Sequence, residues 1–114
     1  MNITNLERLK IEIKGIALSN AEIHIYLAEN GLYQHDAYNA TSNSNKRAIY
    51  AAALSALESI ANNPSMMKSI KVDDMTVSEF HDNLMKRIDQ LEGKIRTMPK
   101  DDDGSGTGYF LMYN

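Results

Sequence analysis

At 114 residues and 12.8 kDa the chain has room for one domain, or one domain with a tail, and such a chain buries about two-thirds of its unfolded surface. A hydrophobic fraction of 43% argues against wholesale disorder, and a net charge of −3 argues against a general nucleic-acid binder, which needs a basic patch to release counterions. The absence of cysteine removes disulfides, thiolate metal sites and cysteine nucleophiles together.

No run approaches about eighteen apolar residues, so no membrane span is expected. The opening MNITNLERLK lacks the basic-then-apolar plan of a signal peptide. Both features suit a protein made and used in a cytoplasm, or in a particle assembled there.

Thr4 followed by Glu7 has the spacing of a capping box, and Leu6, Leu9, Ile13 and Ile16 recur at three- and four-residue steps. The pattern predicts a first helix over 5–14 with Gly15 as its stop. The alternation Ile11-Glu12-Ile13-Lys14 leaves a strand open as a second reading there. Ser19 and Glu22 repeat the capping-box spacing, and AEIHIYLAEN then runs to Gly31, which predicts a second helix over 20–30 closed by a left-handed glycine. Residues 32–44, LYQHDAYNATSNS, have no apolar period and are dense in Asn and Ser. They are expected to form a loop that is ordered at least partly only on assembly.

Asn45 is expected to cap KRAIYAAALSALESIANN, the clearest helix of the chain. Ile49, Leu57 and Ile60 lie near one face, with Ala53 and Ala56 between them to admit a close neighbour, and Pro64 prevents continuation. In 66–76, MMKSIKVDDMT, the residues Ile70, Val72 and Asp73-Asp74 suggest a short extended piece with a turn. Thr76 and Glu79 then open a long helix. Its apolar residues Val77, Phe80, Leu84, Ile88, Leu91, Ile95 and Met98 form a seam that wants one partner surface along its length. Pro99 ends it.

The expected fold is therefore all-α: a small bundle of about four helices over 1–98, followed by an extended tail over 99–114. That tail begins KDDDGSGTG, an acidic and glycine-rich linker. It closes with Tyr109, Phe110, Leu111, Met112 and Tyr113, an apolar segment that is an aggregation liability unless something covers it. The cover is either its own helices or another protein. The residues after Met98, if extended at ~3.3 Å each, reach on the order of 50 Å. Burying four or five large side chains contributes roughly 1.5–3 kcal/mol each. Ordering the segment costs about 1–2 kcal/mol per residue, so the two nearly cancel for an isolated tail.

Catalytic chemistry finds little support. His24, His35 and His81 match no metal-ligand spacing and read as ordinary polar residues. Asp101-Asp102-Asp103-Gly104 has no downstream acid to complete a calcium loop. Gly104, Gly106 and Gly108 lack the Lys-Ser/Thr of a phosphate loop. The pair Asp73-Asp74 reads as a turn rather than as paired catalytic acids. No catalytic, cofactor-binding or metal site is expected, and the chain is read as non-enzymatic.

From Lys46 to Arg96 the chain resembles phage head–tail connector (adaptor, or head-completion) proteins. The likeness lies in an Ala-rich helix ending LESIA, a bridge KSIKVDDMTVSE and a helix NLMKRIDQLEGKIR. The opening LKIEIKGIALSNAEIHIYLAENGL looks like the N-terminal portion of such proteins from phages of low-GC Gram-positive bacteria. The resemblance implies a helical virion protein, assembled in the host cytoplasm, that packs beside copies of itself into a ring of about a dozen beneath the portal. Such a ring extends the DNA channel without sequence-specific binding and receives the next connector or tail protein. In several members the C-terminal segment reaches into the portal, and Tyr109, Phe110, Leu111, Met112 and Tyr113 match that segment by position and character. An acidic lumen would let DNA slide, and some of Asp73, Asp74, Glu79 and Asp82 are expected to line it. Two other readings stand beside this one: a small regulatory or host-interaction protein that dimerises through the 77–98 helix, and an accessory subunit of an enzyme complex.

Overall fold

The computed structural model describes residues 3–14, 16, 18–70 and 75–98, with the backbone alone at 69 and 70. Its helices are α1 (Asn5–Glu12), α2 (Asn20–Glu29), α3 (Asn43–Ala61), α4 (Pro64–Ile70) and α5 (Val77–Thr97). The described residues contain no strand, only an isolated bridge between Thr4 and Ala37. The all-α bundle read from the sequence is the fold, with one helix more than expected.

Three helices begin on the reciprocal caps that their sequences carry. Thr4 Oγ1 accepts the Glu7 N–H at 3.1 Å, while Glu7 Oε1 accepts the Thr4 N–H at 2.9 Å. Ser19 and Glu22 do the same at 3.1 and 3.0 Å, as do Thr76 and Glu79 at 3.0 and 2.8 Å. Each pair satisfies two of the backbone donors that a helix start leaves open. At the far end of α2, Gly31 takes φ +78° as expected. The Leu32 N–H reaches the Leu27 carbonyl at 2.9 Å and the Gly31 N–H reaches that of Ala28 at 3.1 Å, the paired bonds of a Schellman close.

Four expectations are corrected. The first helix stops at Glu12 rather than 14, with Ile13 as its C-cap, and its helical geometry through Ile11 and Glu12 replaces the strand reading. Gly15, its expected stop, lies outside the described residues. The cap of α3 is Ser42, whose Oγ accepts the Asn45 N–H at 3.1 Å; Asn45 sits inside the first turn with its side chain committed elsewhere. The extended piece expected in 66–76 is, as far as Ile70, the helix α4. Pro64 both ends α3 and starts α4, because the first helical position needs no N–H and favours the fixed φ of proline. Asn63 Oδ1 completes that start by accepting the Met66 N–H at 3.1 Å. Val72, Asp73 and Asp74 lie outside the described residues.

Helix α3 is the hub, packing on each of the other four. Its Ala52, Ala53 and Ala56 are fully buried, and the small side chains let neighbouring backbones approach. Leu9 and Ile13 close over this helix from the α1 end, Ile23 and Leu27 from α2, and Phe80, Leu84, Ile88 and Leu91 from α5. Fully burying a Leu or Ile of this kind contributes roughly 1.5–3 kcal/mol. Arg47, in the first turns of α3, donates to the carbonyls of Ile95 at 3.0 Å and Met98 at 2.6 Å. The start of α3 thus meets the end of α5, and the two run antiparallel. The guanidinium supplies the positive charge and the donors that a helix C-terminus lacks. Met98 itself is extended, with ψ 131°, the backbone that a following proline imposes.

The segment 32–44 is tied to the start of α1. Asn5 and Leu6 donate their N–H groups to the carbonyls of Asp36 and Gln34 at 2.9 and 3.1 Å, and Tyr38 donates to Ile3 at 2.7 Å. Asn5, only 2% exposed, donates its Nδ2 to the Tyr33 carbonyl at 2.9 Å and accepts from Asn45 Nδ2 at 3.1 Å. Asn45 Oδ1 in turn accepts the Asn39 N–H at 2.8 Å. The loop expected to wait for assembly is thus pinned within the single chain.

Candidate functional site

Of the residues singled out from the sequence, Asp73, Asp74 and Tyr109–Tyr113 lie outside the described residues. Glu79 and Asp82 lie within them. They occupy the first two turns of α5, three residues apart and exposed, over a shallow hollow of about 400 Å³ that Met75, Asn83 and Lys86 also line. Two features dilute this acidic edge. Lys86 stands one turn beyond Asp82, where its charge offsets theirs. Glu79 is engaged at the helix start, where hydrogen bonding from the Thr76 backbone and hydroxyl holds its carboxyl below the ordinary value of 4.5. Its first duty is therefore to the helix.

The seam of α5 has a partner. Phe80, Leu84, Ile88 and Leu91 are buried, and the helix packs on α3 of its own chain. A dimer through that seam would have to displace α3.

The histidines stay apart. His35 meets the Tyr33 ring edge-on at 5.4 Å, while His24 is half-buried on α2 with its Nδ1 enclosed and unbonded. Among the described residues no three His, Asp or Glu side chains gather closely enough to hold a metal ion. No described helix is long and apolar enough to cross a membrane.

Two features escaped the sequence reading. The first is a polar stack on α1. Arg8 lies 5.4 Å from the centre of the Tyr38 ring and 5.9 Å from that of Tyr50, and it pairs with Glu12 at 3.1 Å. Lys94 of α5 approaches the Tyr50 ring at 5.2 Å. Burial disfavours the charge of Arg8, but hydrogen bonding with Tyr38 and Glu12 outweighs it and raises the pKa. The stack fastens α1, the 32–44 segment and the two long helices together.

The second is a groove of about 420 Å³ where the end of α1 meets the first half of α5. Ile16, Met75, Phe80 and Leu84 form its apolar floor, and Lys14, Lys86 and Arg87 stand around it, with no acid among the described lining residues. Arg87 builds the groove as well as charging it: its guanidinium donates to the carbonyls of Glu12 and of Lys14, closing the end of α1. No local motif announces this, because donor and acceptor lie 75 residues apart.

A scan against models of protein families matches none of them, and searches of curated proteins and of solved structures return no match.

Proposed function

We propose that the chain is a structural subunit of a head–tail connector ring, and that it hands the segment Tyr109–Tyr113 to the portal beneath which the ring sits. The observation that carries the reading is where apolar surface is and is not covered. The α5 seam, which could have served a partner, is covered by α3. Among the described residues the large apolar side chains left exposed are four: Ile11, Ile25, Tyr33 and Met85. A contiguous apolar run, Tyr109–Tyr113, follows the helical body behind an acidic, glycine-rich linker, as suits a strand or hook offered to a neighbour. Many such segments presented by one ring act together, which makes a marginal single contact effective.

In this role the chain is a virion protein assembled in the host cytoplasm, with the portal, copies of itself and the next connector or tail protein as partners, and with no catalytic step. DNA passes through the ring unread. Asp82, with Asp73, Asp74 and Glu79 as companions, gives the passage its negative sign; Asp82→Lys should then slow DNA transit, and unaltered transit would remove these residues from the channel. The main test is retention on immobilised portal of the full chain and of a chain ending at Met98. The full chain is expected to be retained and the shortened one lost. Equal retention would show that the tail is not the hook, and no retention of either would sink the connector reading.

A further inference from the structure

An apolar segment made in a cytoplasm needs cover before its partner arrives, and the groove beside α5 has the position, floor and charge to supply it. We propose that in the free subunit Tyr109–Tyr113 docks into the groove of its own chain, floored by Ile16, Met75, Phe80 and Leu84, and leaves it when a stronger partner takes the segment.

Three observations converge on this occupant. The first is reach. From Met98 back along α5 to the groove residues Gln90 and Phe80 is on the order of 12–27 Å at ~1.5 Å per residue. The linker 99–108 can span on the order of 33 Å at ~3.3 Å per residue. The linker is therefore long enough for the apolar segment to begin at the groove.

Charge is the second. Among the described residues the groove lining carries Lys14, Lys86 and Arg87 and no acid, and none of these cations is in an ion pair, although Lys86 also borders the hollow of Glu79 and Asp82. The linker carries Asp101, Asp102 and Asp103 near its start, with Gly104-Ser105-Gly106-Thr107-Gly108 between them and the apolar segment. Fully extended back along α5 at ~3.3 Å per residue, Asp103 reaches on the order of 17 Å from Met98, about as far as Arg87 at ~1.5 Å per residue, so the acidic run approaches the near end of the cationic rim.

Strength is the third. Burial of the segment and the entropy of ordering it nearly cancel, so the groove holds the segment only because a short tether keeps it at an effective concentration in the millimolar range. Such a contact closes in the free subunit and yields to a ring-sized partner. The two destinations open to the tail thereby become successive states. This inference does not need the portal to be the partner, and its test uses the chain alone.

The chain has no cysteine, so Asn114→Cys accepts a single spin label just past the segment in the otherwise complete protein. Amide signals of Ile16, Met75 and Leu84 should broaden several-fold more than that of Ile25, which lies on α2, a helix that does not pack on α5. Mixing isotope-labelled unmodified chain with spin-labelled unlabelled chain should produce no such broadening. Lys86→Glu, at an exposed position, should reduce the broadening at least twofold, as should replacing all three linker aspartates by asparagine. Uniform or absent broadening in the intact labelled chain overturns the proposal. Broadening that appears in the mixture overturns it in favour of a second copy as the occupant. Neither outcome bears on retention by the portal, which is measured separately.

Discussion

The antiparallel pair α3–α5 and the corner formed by α1 with residues 32–44 are held by different physics. The pair rests on an apolar stripe that repeats every three or four residues and meets a ladder of buried alanines. The corner rests on hydrogen bonds, with Asn5 as the one buried polar residue among those described. That side chain bonds the loop and the first turn of α3 at once, while the Asn5 backbone and its neighbour donate to two further loop carbonyls. Apolar packing degrades gradually, one methylene at a time, whereas a polar staple fails abruptly because its orphaned partners stay buried. The pair is therefore the source of global stability, and the corner is the unit that opens first.

Leu57→Ala tests the pair and should cost the most, about 3 kcal/mol in denaturant melts, since the side chain is fully buried in the hub helix. The loss should appear in every probe together, because α3 touches every other helix. Asn5→Ala tests the corner and should cost about 2 kcal/mol, having left the Tyr33 carbonyl and the Asn45 amide without their partner. Its effect should be regional. In the unmodified chain the amides of Tyr38 and Asp36 should exchange slowly; in the variant they should exchange fast while those of α5 stay protected. Rapid exchange at Tyr38 in the unmodified chain would restore the expectation that the loop is ordered only on assembly.

This division also governs what the sequence could disclose. The starts of α1, α2 and α5 were legible because a capping box is a local device, donor and acceptor three residues apart. Gly31 was legible for the same reason, and so was the α5 seam. The cap of α3 was misplaced because SNSN offers four competent capping residues in a row, and the choice is made by distant groups: Asn45 is engaged by Asn5 and Asn39, which leaves the cap to Ser42. Helix α4 was missed because Pro64 was read only as a stop. The C-terminal ends of α1 and α5 are closed by Arg87 and Arg47, acting over 75 and 48 residues, and nothing in a local window signals either. The groove followed from Arg87 and was equally hidden. Of the site residues, sequence marked Glu79 as the cap partner of Thr76, and the structure keeps it in that role on the exposed edge it shares with Asp82.

Gly31→Ala sharpens the contrast from the corner's other side. Nothing lies within 4 Å of the added Cβ, so the cost is that of φ +78° alone, about 1 kcal/mol. A larger loss would mean that the end of α2 is packed more tightly than its geometry indicates. Thr76→Ala removes a cap from the pair and should cost about 1 kcal/mol, with helix content of α5 falling in its first turn.

The smallest expected effect is Glu79→Gln, and its value lies in its sign. The carboxyl is held below 4.5 by bonds from Thr76 that exist only in the folded chain. A depressed folded value means the unfolded chain takes up the proton first as acid is added. The contribution is thus complete well above 4.5 and drains away as the pH falls from there through the lowered value. Glutamine keeps an oxygen to accept the Thr76 N–H at every pH, so the variant should lose little at neutrality and should show a flatter stability profile below about pH 5. The carboxylate is fully solvent-exposed, so added salt should shrink the difference between the two profiles without reversing it. A profile that stays as steep in the variant would assign the acid sensitivity of α5 to some other carboxylate and free Glu79 for the channel edge.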